Sequence, residues 1–315
     1  MALQEKDSRV VVGLWVMDRK LPPSIIEAAY LGKCEEGYVY AMLPTPAEAK
    51  RAGWPTIEKD IQRGLKTVCD SPCPIGHYVK DDNDLKQLAA REQIVHLDMS
   101  HAKITDAGLK CLEGKTKLKG LNLDATQVTD AGLQSIRSLT SLVDLSLRRT
   151  KITDAGLQSI ESLTSMVYLL LDDTEVTDAG LKHLEKLTRL EHLYLGGTRI
   201  TDVGLEHFKA MHQLQVLYLA DTPIGDAHLS NLKELTSLAF LVLDDTKITD
   251  AGLRCLSGLT QLRQLSLART KITDAGLEHL HGLRLLEDLS LEETGVTDQG
   301  AGKLQKALPK CRIVY

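Results

Sequence analysis

The sequence predicts an α/β solenoid, in which short strands and short helices alternate along one stack of repeats. The segment at residues 142–165, LVDLSLRRTKITDAGLQSIESLTS, returns every 24 residues until the chain ends. A fixed period between about 20 and 50 residues is typical of solenoid proteins. The Thr-Asp pair of this segment keeps its spacing without insertion or deletion, and its aspartates are Asp106, Asp130, Asp154, Asp178, Asp202, Asp226, Asp250, Asp274 and Asp298.

Each repeat contains a strand pattern followed by a helix pattern. Leu145 and Leu147 alternate with polar residues, as in a strand that has one buried face. From Ile152 onwards the apolar residues are spaced by three, which indicates a short helix. Thr153 is placed to cap this helix, and Asp154 lies in its first turn, where the helix dipole favours a carboxylate.

Stacking of neighbouring repeats is required for stability, because one unit alone buries too few side chains to offset its conformational entropy. Aligning the repeats predicts ten parallel strands, in an array that begins near residue 82. The predicted core column is Leu97, Leu121, Leu145, Leu169, Leu193, Leu217, Leu241, Leu265, Leu289 and Ile313.

These motifs carry a resemblance to a known family. Residues 142–152 resemble the leucine-rich repeat consensus L-x-x-L-x-L-x-x-N/C-x-L, and the run ITDAGL at residues 152–157 resembles its cysteine-containing subclass. The resemblance covers residues 82–315. It implies a right-handed horseshoe with a parallel concave sheet and short convex helices. It also implies a protein-binding scaffold without enzymatic activity, whose concave sheet carries recognition.

One position departs from the consensus. Threonine replaces the Asn or Cys of the ladder in eight repeats, and Ala102 occupies it in the first. We expect the turn to be preserved, because a threonine hydroxyl can still bond the neighbouring loop backbone. These threonines are Thr126, Thr150, Thr174, Thr198, Thr222, Thr246, Thr270 and Thr294.

Residues 1–81 lack the repeat and are expected to form a small α/β domain that caps the first edge of the solenoid. Residues 9–17 and 38–43 have strand patterns. Capping-box motifs predict one helix at residues 24–32 and another that starts at Thr45.

Two further interpretations of this segment stay open. Residues 21–26, LPPSII, resemble the opening of an F-box. The chain would then be an adaptor, in which residues 1–81 recruit other machinery and the repeats select the target. The second interpretation is a zinc site, against which free structural thiols are the alternative. The possible ligands are Cys34, Cys69, Cys73 and His77.

Composition narrows the choice of partners and compartment. The formal net charge is −5, which argues against nucleic acid or an anionic membrane surface as the main partner. We find no apolar run of the roughly 18–20 residues that cross a bilayer and no secretory signal pattern. The six cysteines are scattered rather than spaced as a disulfide framework, which predicts a cytoplasmic protein.

The outward-facing strand positions form two columns on the predicted concave sheet. Both columns become apolar and aromatic over the same four repeats, which predicts an exposed patch that binds another protein or a peptide. The alternative is a purely structural repeat protein, in which these residues only reflect strand propensity on a crowded sheet. The patch residues are Tyr168, Leu170, His192, Tyr194, Val216, Tyr218, Phe240 and Val242.

An acidic rim is predicted beside this patch. It would steer a partner with a basic rim, unless it is only a solvated face. Part of its charge should be neutralised by Arg148, Arg149 and Arg269 from neighbouring repeats, as structural cross-strand pairs. The rim aspartates nearest the patch are Asp172, Asp173, Asp221, Asp244 and Asp245.

Catalytic motifs are missing from the sequence. It contains no phosphate-binding glycine loop, no H-E-x-x-H and no G-x-S-x-G. The repeated aspartates suit helix capping rather than catalysis or calcium binding, because every repeat places them identically. We therefore expect no catalytic residue, cofactor or metal in the array. The sixth turn is irregular, since Gly225 and His228 replace its usual Thr and Gly, and a local loop change is expected there.

Overall fold

The protein divides into two compact units, Met1–Gly76 and His77–Tyr315. The computed structural model describes residues 11–15, 30–33, 38–42, 77–90 and 94–315. In the first unit and at residues 77–78 it describes the backbone alone.

The first unit contains an antiparallel sheet of β1 (Val11–Trp15), β2 (Tyr30–Lys33) and β3 (Tyr38–Met42), with β3 in the middle. The strands predicted at residues 9–17 and 38–43 are confirmed. The prediction of a helix at residues 24–32 is wrong for its last residues, because Tyr30–Lys33 forms β2 and pairs with β3. Such pairing overrides a local helix signal.

The other predictions for residues 1–81 depend on residues or side chains that the structure does not describe. They include the F-box-like segment and the zinc ligands.

The second unit is built on one parallel sheet of eleven strands, which lie side by side in chain order. Its strands are β4 (His77–Tyr78), β5 (His96–Asp98), β6 (Gly120–Asn122), β7 (Asp144–Ser146), β8 (Tyr168–Leu170), β9 (His192–Tyr194), β10 (Val216–Tyr218), β11 (Phe240–Val242), β12 (Gln264–Ser266), β13 (Asp288–Ser290) and β14 (Arg312–Val314).

This sheet has one strand more than the ten predicted. The extra strand is β4, which pairs in parallel with β5 although it precedes the first recognisable repeat. The array therefore starts at His77 rather than near residue 82. Sequence periodicity missed β4 because its two residues lack the leucine pattern.

The predicted core column is buried as expected. Each strand from β5 to β13 points one leucine inward, and these leucines are at most 2% exposed. Ile313 on the terminal strand is partly buried against them. Because the strands pair in register, every inward leucine stacks on its counterpart one repeat away.

Short helices cover the opposite side of the core. The α-helices are α1 (Asp82–Ala89), α2 (Asp106–Leu109), α3 (Asp130–Leu133), α4 (Asp154–Ile160), α5 (Asp178–Leu181), α6 (Asp250–Leu256) and α7 (Asp298–Ala307). Turns of 3₁₀ helix lie at Lys110–Leu112, Gln134–Ile136, Lys182–Leu184, Asp202–Phe208, Leu229–Glu234 and Gly276–Leu280.

The repeated Thr-Asp pair joins each repeat to the next. The Thr153 side chain caps α4 by accepting a hydrogen bond from Ala155 N. Asp130, one repeat earlier, accepts from Thr153 N at 2.9 Å through Oδ1 and from the Thr153 hydroxyl at 2.6 Å through Oδ2. The aspartate therefore lies in the first turn of its own helix and also accepts two hydrogen bonds from the neighbouring repeat, which the sequence did not reveal.

The glycine of the ITDAGL run leaves room for this aspartate. A Cβ atom on Gly156 would lie 2.4 Å from Oδ1 of Asp130. No side chain can occupy that space while the carboxylate keeps its two hydrogen bonds. Threonine, aspartate and glycine thus form one unit, which we call the inter-repeat clamp.

The ladder threonines hold the turn that follows each strand. The Thr174 hydroxyl donates to Leu171 O at 2.6 Å, three residues earlier in its own repeat. The residue before each ladder threonine has a positive φ, for example 56° at Asp173. The turn is preserved as expected, and the backbone carbonyl that accepts from the threonine hydroxyl lies in the same repeat as the threonine.

The sixth turn departs from the others, as its sequence predicted. His228 has a φ of 42°, and no side chain caps the 3₁₀ turn that follows it. Its Nδ1 lies 3.4 Å from Oδ2 of Asp202, the clamp aspartate of the preceding repeat. Gly225 has no hydroxyl with which to complete that clamp.

Candidate functional site

Strands β8 to β11 bring the predicted patch residues together on the sheet face that points away from the core. In-register pairing places Tyr168 beside His192, Tyr194 beside Tyr218, and Tyr218 beside Val242. We call this surface the central trough. Its residues are Tyr168, Leu170, His192, Tyr194, Val216, Tyr218, Phe240 and Val242.

The aromatic rings of the trough stack in pairs. The rings of Tyr168 and His192 have centroids 4.4 Å apart and planes inclined by 26°. The rings of Tyr194 and Tyr218 have centroids 5.9 Å apart and planes inclined by 25°. Stacking restricts the side-chain rotamers before any partner binds, which lowers the entropy lost on binding.

The trough is less exposed than the sequence predicted. Seven of its residues are half-buried, and Leu170 is only 1% exposed. The prediction that Leu170 contributes to an exposed patch is therefore wrong. Parallel strands lie about 4.8 Å apart, so the larger Tyr194 on the next strand crowds the leucine. Leu170 belongs to the floor of the trough.

Burial keeps the trough uncharged near neutral pH. Desolvation lowers the pKa of His192 to about 4. Burial, followed by the nearby carboxylates of Asp172 and Asp244, raises the pKa of Tyr218 to about 12. Burial, reinforced by Asp144, likewise raises the pKa of Tyr168. The imidazole of His192 and the phenols of Tyr168 and Tyr218 therefore remain neutral at pH 7.

The sequence predicts Asp172 in a solvated acidic rim, but its side chain is buried in the structure. It is 5% exposed. Its Oδ1 accepts from Gly196 N at 3.0 Å, and its Oδ2 lies 2.8 Å from Nε of Arg148. Burial raises its pKa, while Arg148 opposes that shift. Its role is to hold Arg148 and the adjoining turn.

Arg148 lies between two buried carboxylates. Asp124, one repeat earlier, accepts from Arg148 N at 2.9 Å and from the Ser146 hydroxyl. Burial raises the pKa of Asp124 to about 6, against the opposing effects of Ser146 and Arg148. Asp124 is not among the predicted site residues, although its spacing of 48 residues from Asp172 could have revealed it.

Two other aspartates of the rim are ion-paired as predicted. Arg149 Nε lies 3.2 Å from Asp173 Oδ2, and Arg269 Nη2 lies 2.6 Å from Asp245 Oδ2. All four side chains are at least 37% exposed. Exposed pairs of this kind contribute about 0–1 kcal/mol each, so they are minor structural contacts.

The remaining rim aspartates, Asp221 and Asp244, make no ion pair with any cation in the described part of the chain. Asp221 is exposed. Asp244 is partly buried and accepts from Ala268 N at 2.9 Å. Asp221 N donates to Asp244 O at 2.9 Å, so the two residues lie on adjacent turns beside Tyr218 and Val242.

Within the described residues, no cluster of three or more His, Cys, Asp or Glu side chains could hold a metal ion. The helices described there are also too short or too polar to span a membrane.

Comparisons with known proteins agree with this architecture. Residues 188–248 match one leucine-rich repeat family profile, and residues 94–112 and 138–160 match another. The array is a leucine-rich repeat solenoid. The cysteine-containing subclass is not established by these matches. Leucine-rich repeats of this kind support a protein-interaction scaffold as the general role of the array.

Solved structures of leucine-rich repeat proteins resemble this chain. Internalin C2 from Listeria monocytogenes is 26% identical, covering 74% of this chain and 92% of its own, with a TM-score of 0.54. An internalin F from the same organism is 19% identical over 74% and 88%, with a TM-score of 0.43. A leucine-rich repeat protein from Leptospira interrogans is 17% identical over 73% and 74%, with a TM-score of 0.48. None of the curated protein sequences matches the chain.

Proposed function

We propose that this leucine-rich repeat protein binds a protein or peptide partner in the central trough, with Tyr194 and Tyr218 as anchors. The observation that carries the proposal is the stacked Tyr194–Tyr218 pair, held half-exposed on four in-register strands. On β12 and β13 of the same sheet, the positions in register with Tyr218 and Val242 are the polar Ser266 and Ser290. Aromatic anchors of this type dominate the energetics of many protein interfaces.

The geometry favours a macromolecular partner over a small ligand. The trough spans four strands, or roughly 14 Å along the sheet at about 4.8 Å per strand. Its residues come from four successive strands, whereas small-molecule sites place a few polar groups around one concave pocket. An extended segment laid across the strands can contact both aromatic pairs at once.

The adaptor alternative depends on residues 1–81 and stays a prediction, because its F-box-like segment lies outside the described residues. A cytoplasmic setting and the absence of nucleic-acid and membrane partners are likewise predictions from composition.

Capture of partners from a cell lysate tests the proposal. Immobilised wild-type protein should retain specific partners that the Tyr194→Ala/Tyr218→Ala variant loses, because the variant removes both anchors. The matched control is Val203→Ala/Leu285→Ala, which truncates two scattered side chains that are 51% and 42% exposed. The control should keep every partner. Retention of all partners by the tyrosine variant, with an unchanged melting temperature, would overturn the proposal.

A further inference from the structure

Acidic residues are concentrated in the repeats that carry the central trough. From Asp154 to Thr249, which is four full repeats, the chain has fifteen acidic and seven basic residues. Residues 77–153 have ten acidic and twelve basic residues, and residues 250–315 have eight and nine. The negative excess of the solenoid therefore lies in the repeats that carry the aromatic side chains, and it favours a positively charged partner.

The arginines near the trough are already used within the protein. Arg148, Arg149 and Arg269 pair with Asp172, Asp173 and Asp245. These pairs neutralise three of the five predicted rim aspartates. Asp221 and Asp244 form no ion pair in the described part of the chain, although Arg269 acts on Asp244 from a longer distance. They are therefore the rim carboxylates most available to an external charge.

The ring of Tyr218 lies close to the carboxylate of Asp244, and the turn of Asp244 is hydrogen-bonded to the turn of Asp221. A Cβ atom on Gly196 would come within 2.5 Å of Tyr218 Cε1, so the absence of a side chain there lets the ring lean across the β9 turn. Asp244 is close enough to Tyr218 to influence its titration. A neutral aromatic face beside carboxylates that form no ion pair is an arrangement that binds a cation by ring and charge together.

We propose that the partner segment is cationic, and that one of its arginines stacks on the Tyr194–Tyr218 pair while Asp221 and Asp244 neutralise its charge. Arginine fits better than lysine, because its planar guanidinium stacks on aromatic rings and forms two parallel hydrogen bonds to a carboxylate. This inference rests on the proposed function, since it assumes that the trough is the binding surface.

Selection from a random twelve-residue peptide library displayed on phage tests the inference. The full chain and the Tyr194→Ala/Tyr218→Ala variant are immobilised side by side, at about 50 mM salt so that charge is weakly screened. We expect peptides enriched in arginine on the wild-type protein and their loss on the variant.

Two other outcomes separate the inference from the proposed function. Peptides without excess basic residues that are still lost on the tyrosine variant would overturn the cationic partner and leave the trough as the binding site. Equal recovery on the two proteins, with or without enrichment, would overturn both.

Charge variants then locate the interaction. Asp221→Asn/Asp244→Asn should weaken binding of a selected peptide by roughly tenfold, and added salt should weaken wild-type binding in the same direction. Glu206→Gln/Glu278→Gln, on the exposed convex side, is the control with the same change of charge. Replacing arginine by lysine in the peptide should weaken binding several-fold. Equal weakening by the two protein variants would contradict the assignment of Asp221 and Asp244.

Discussion

At the scale of single residues, the aspartate that opens each helix has a larger role than its sequence position suggested. The sequence predicts that this carboxylate interacts with the dipole of its own helix and serves helix capping there. In the structure, Asp106 also accepts from Thr129 N at 2.7 Å and from the Thr129 hydroxyl at 2.6 Å, one repeat away. This second role explains why the aspartate is identical in every repeat.

The inter-repeat clamp predicts that adding a side chain at its glycine destabilises the protein. A Cβ atom in Gly132→Ala would lie 2.4 Å from Asp106 Oδ1 and 3.2 Å from Asp106 Cα. The carboxylate must then move and lose its bonds to Thr129, so we expect a loss of about 2–4 kcal/mol in the free energy of unfolding. Denaturant titration measures this change.

Gly258→Ala is the matched control, because nothing lies within 4 Å of the Cβ atom that it adds. We expect the control to leave the free energy of unfolding within about 0.5 kcal/mol of the wild-type value. Equal destabilisation by the two substitutions would show that the clamp does not restrict Gly132.

At the scale of the element, the sixth turn is where the repeat is weakest. Asp226 still caps the next repeat, accepting from the Thr249 hydroxyl at 2.6 Å. The repeat after Asp202, in contrast, has Gly225 at the position of the capping threonine. It has His228, with a left-handed backbone, at the position of the glycine. The array therefore has one incomplete junction between repeats that are otherwise regular.

Restoring the repeat sequence should repair this junction. Gly225→Thr supplies the hydroxyl that caps the helix and bonds Asp202, and His228→Gly removes a left-handed non-glycine residue. We expect the double variant to raise the free energy of unfolding by about 1–2 kcal/mol. Thermal and denaturant unfolding measure the gain. A lower melting temperature for the double variant would mean that the irregular turn is stabilised by contacts other than those of the repeat.

The strands and helices were predictable because each is specified locally, twenty-four residues at a time. The Leu145 column, the Thr153 cap and the Arg149–Asp173 pair all follow from aligning one repeat with the next. The exposure of side chains did not follow. Leu170 and Asp172 occupy outward-facing positions and are nevertheless buried, because crowding on a parallel sheet depends on the sizes of neighbouring residues.

The start of the sheet could not be predicted either. His77–Tyr78 pairs with β5 through backbone hydrogen bonds, and backbone pairing leaves no mark in the leucine pattern. The sixth turn, in contrast, was recognisable as irregular from Gly225 and His228 alone, which replace the usual threonine and glycine.

At the scale of the whole molecule, function depends on the register of the stack. The twenty-four-residue period places Tyr194 and Tyr218 at the same position of adjacent repeats, so a pattern that looks scattered in the sequence becomes one continuous surface. The acidic excess of the solenoid lies in the same four repeats. A solenoid can vary such positions freely, because its core and clamps are supplied by other residues of each repeat.

Hydroxyl-radical footprinting of the whole chain, with and without a captured partner, tests this account most directly. Oxidation of Tyr168, Tyr194, Tyr218 and Phe240 should fall together when the partner binds. Tyr315, which is 52% exposed on the terminal repeat, serves as the internal reference and should be oxidised equally in both states. Unchanged oxidation of the four trough residues, with protection of the convex helices instead, would contradict the assignment of the central trough as the binding surface.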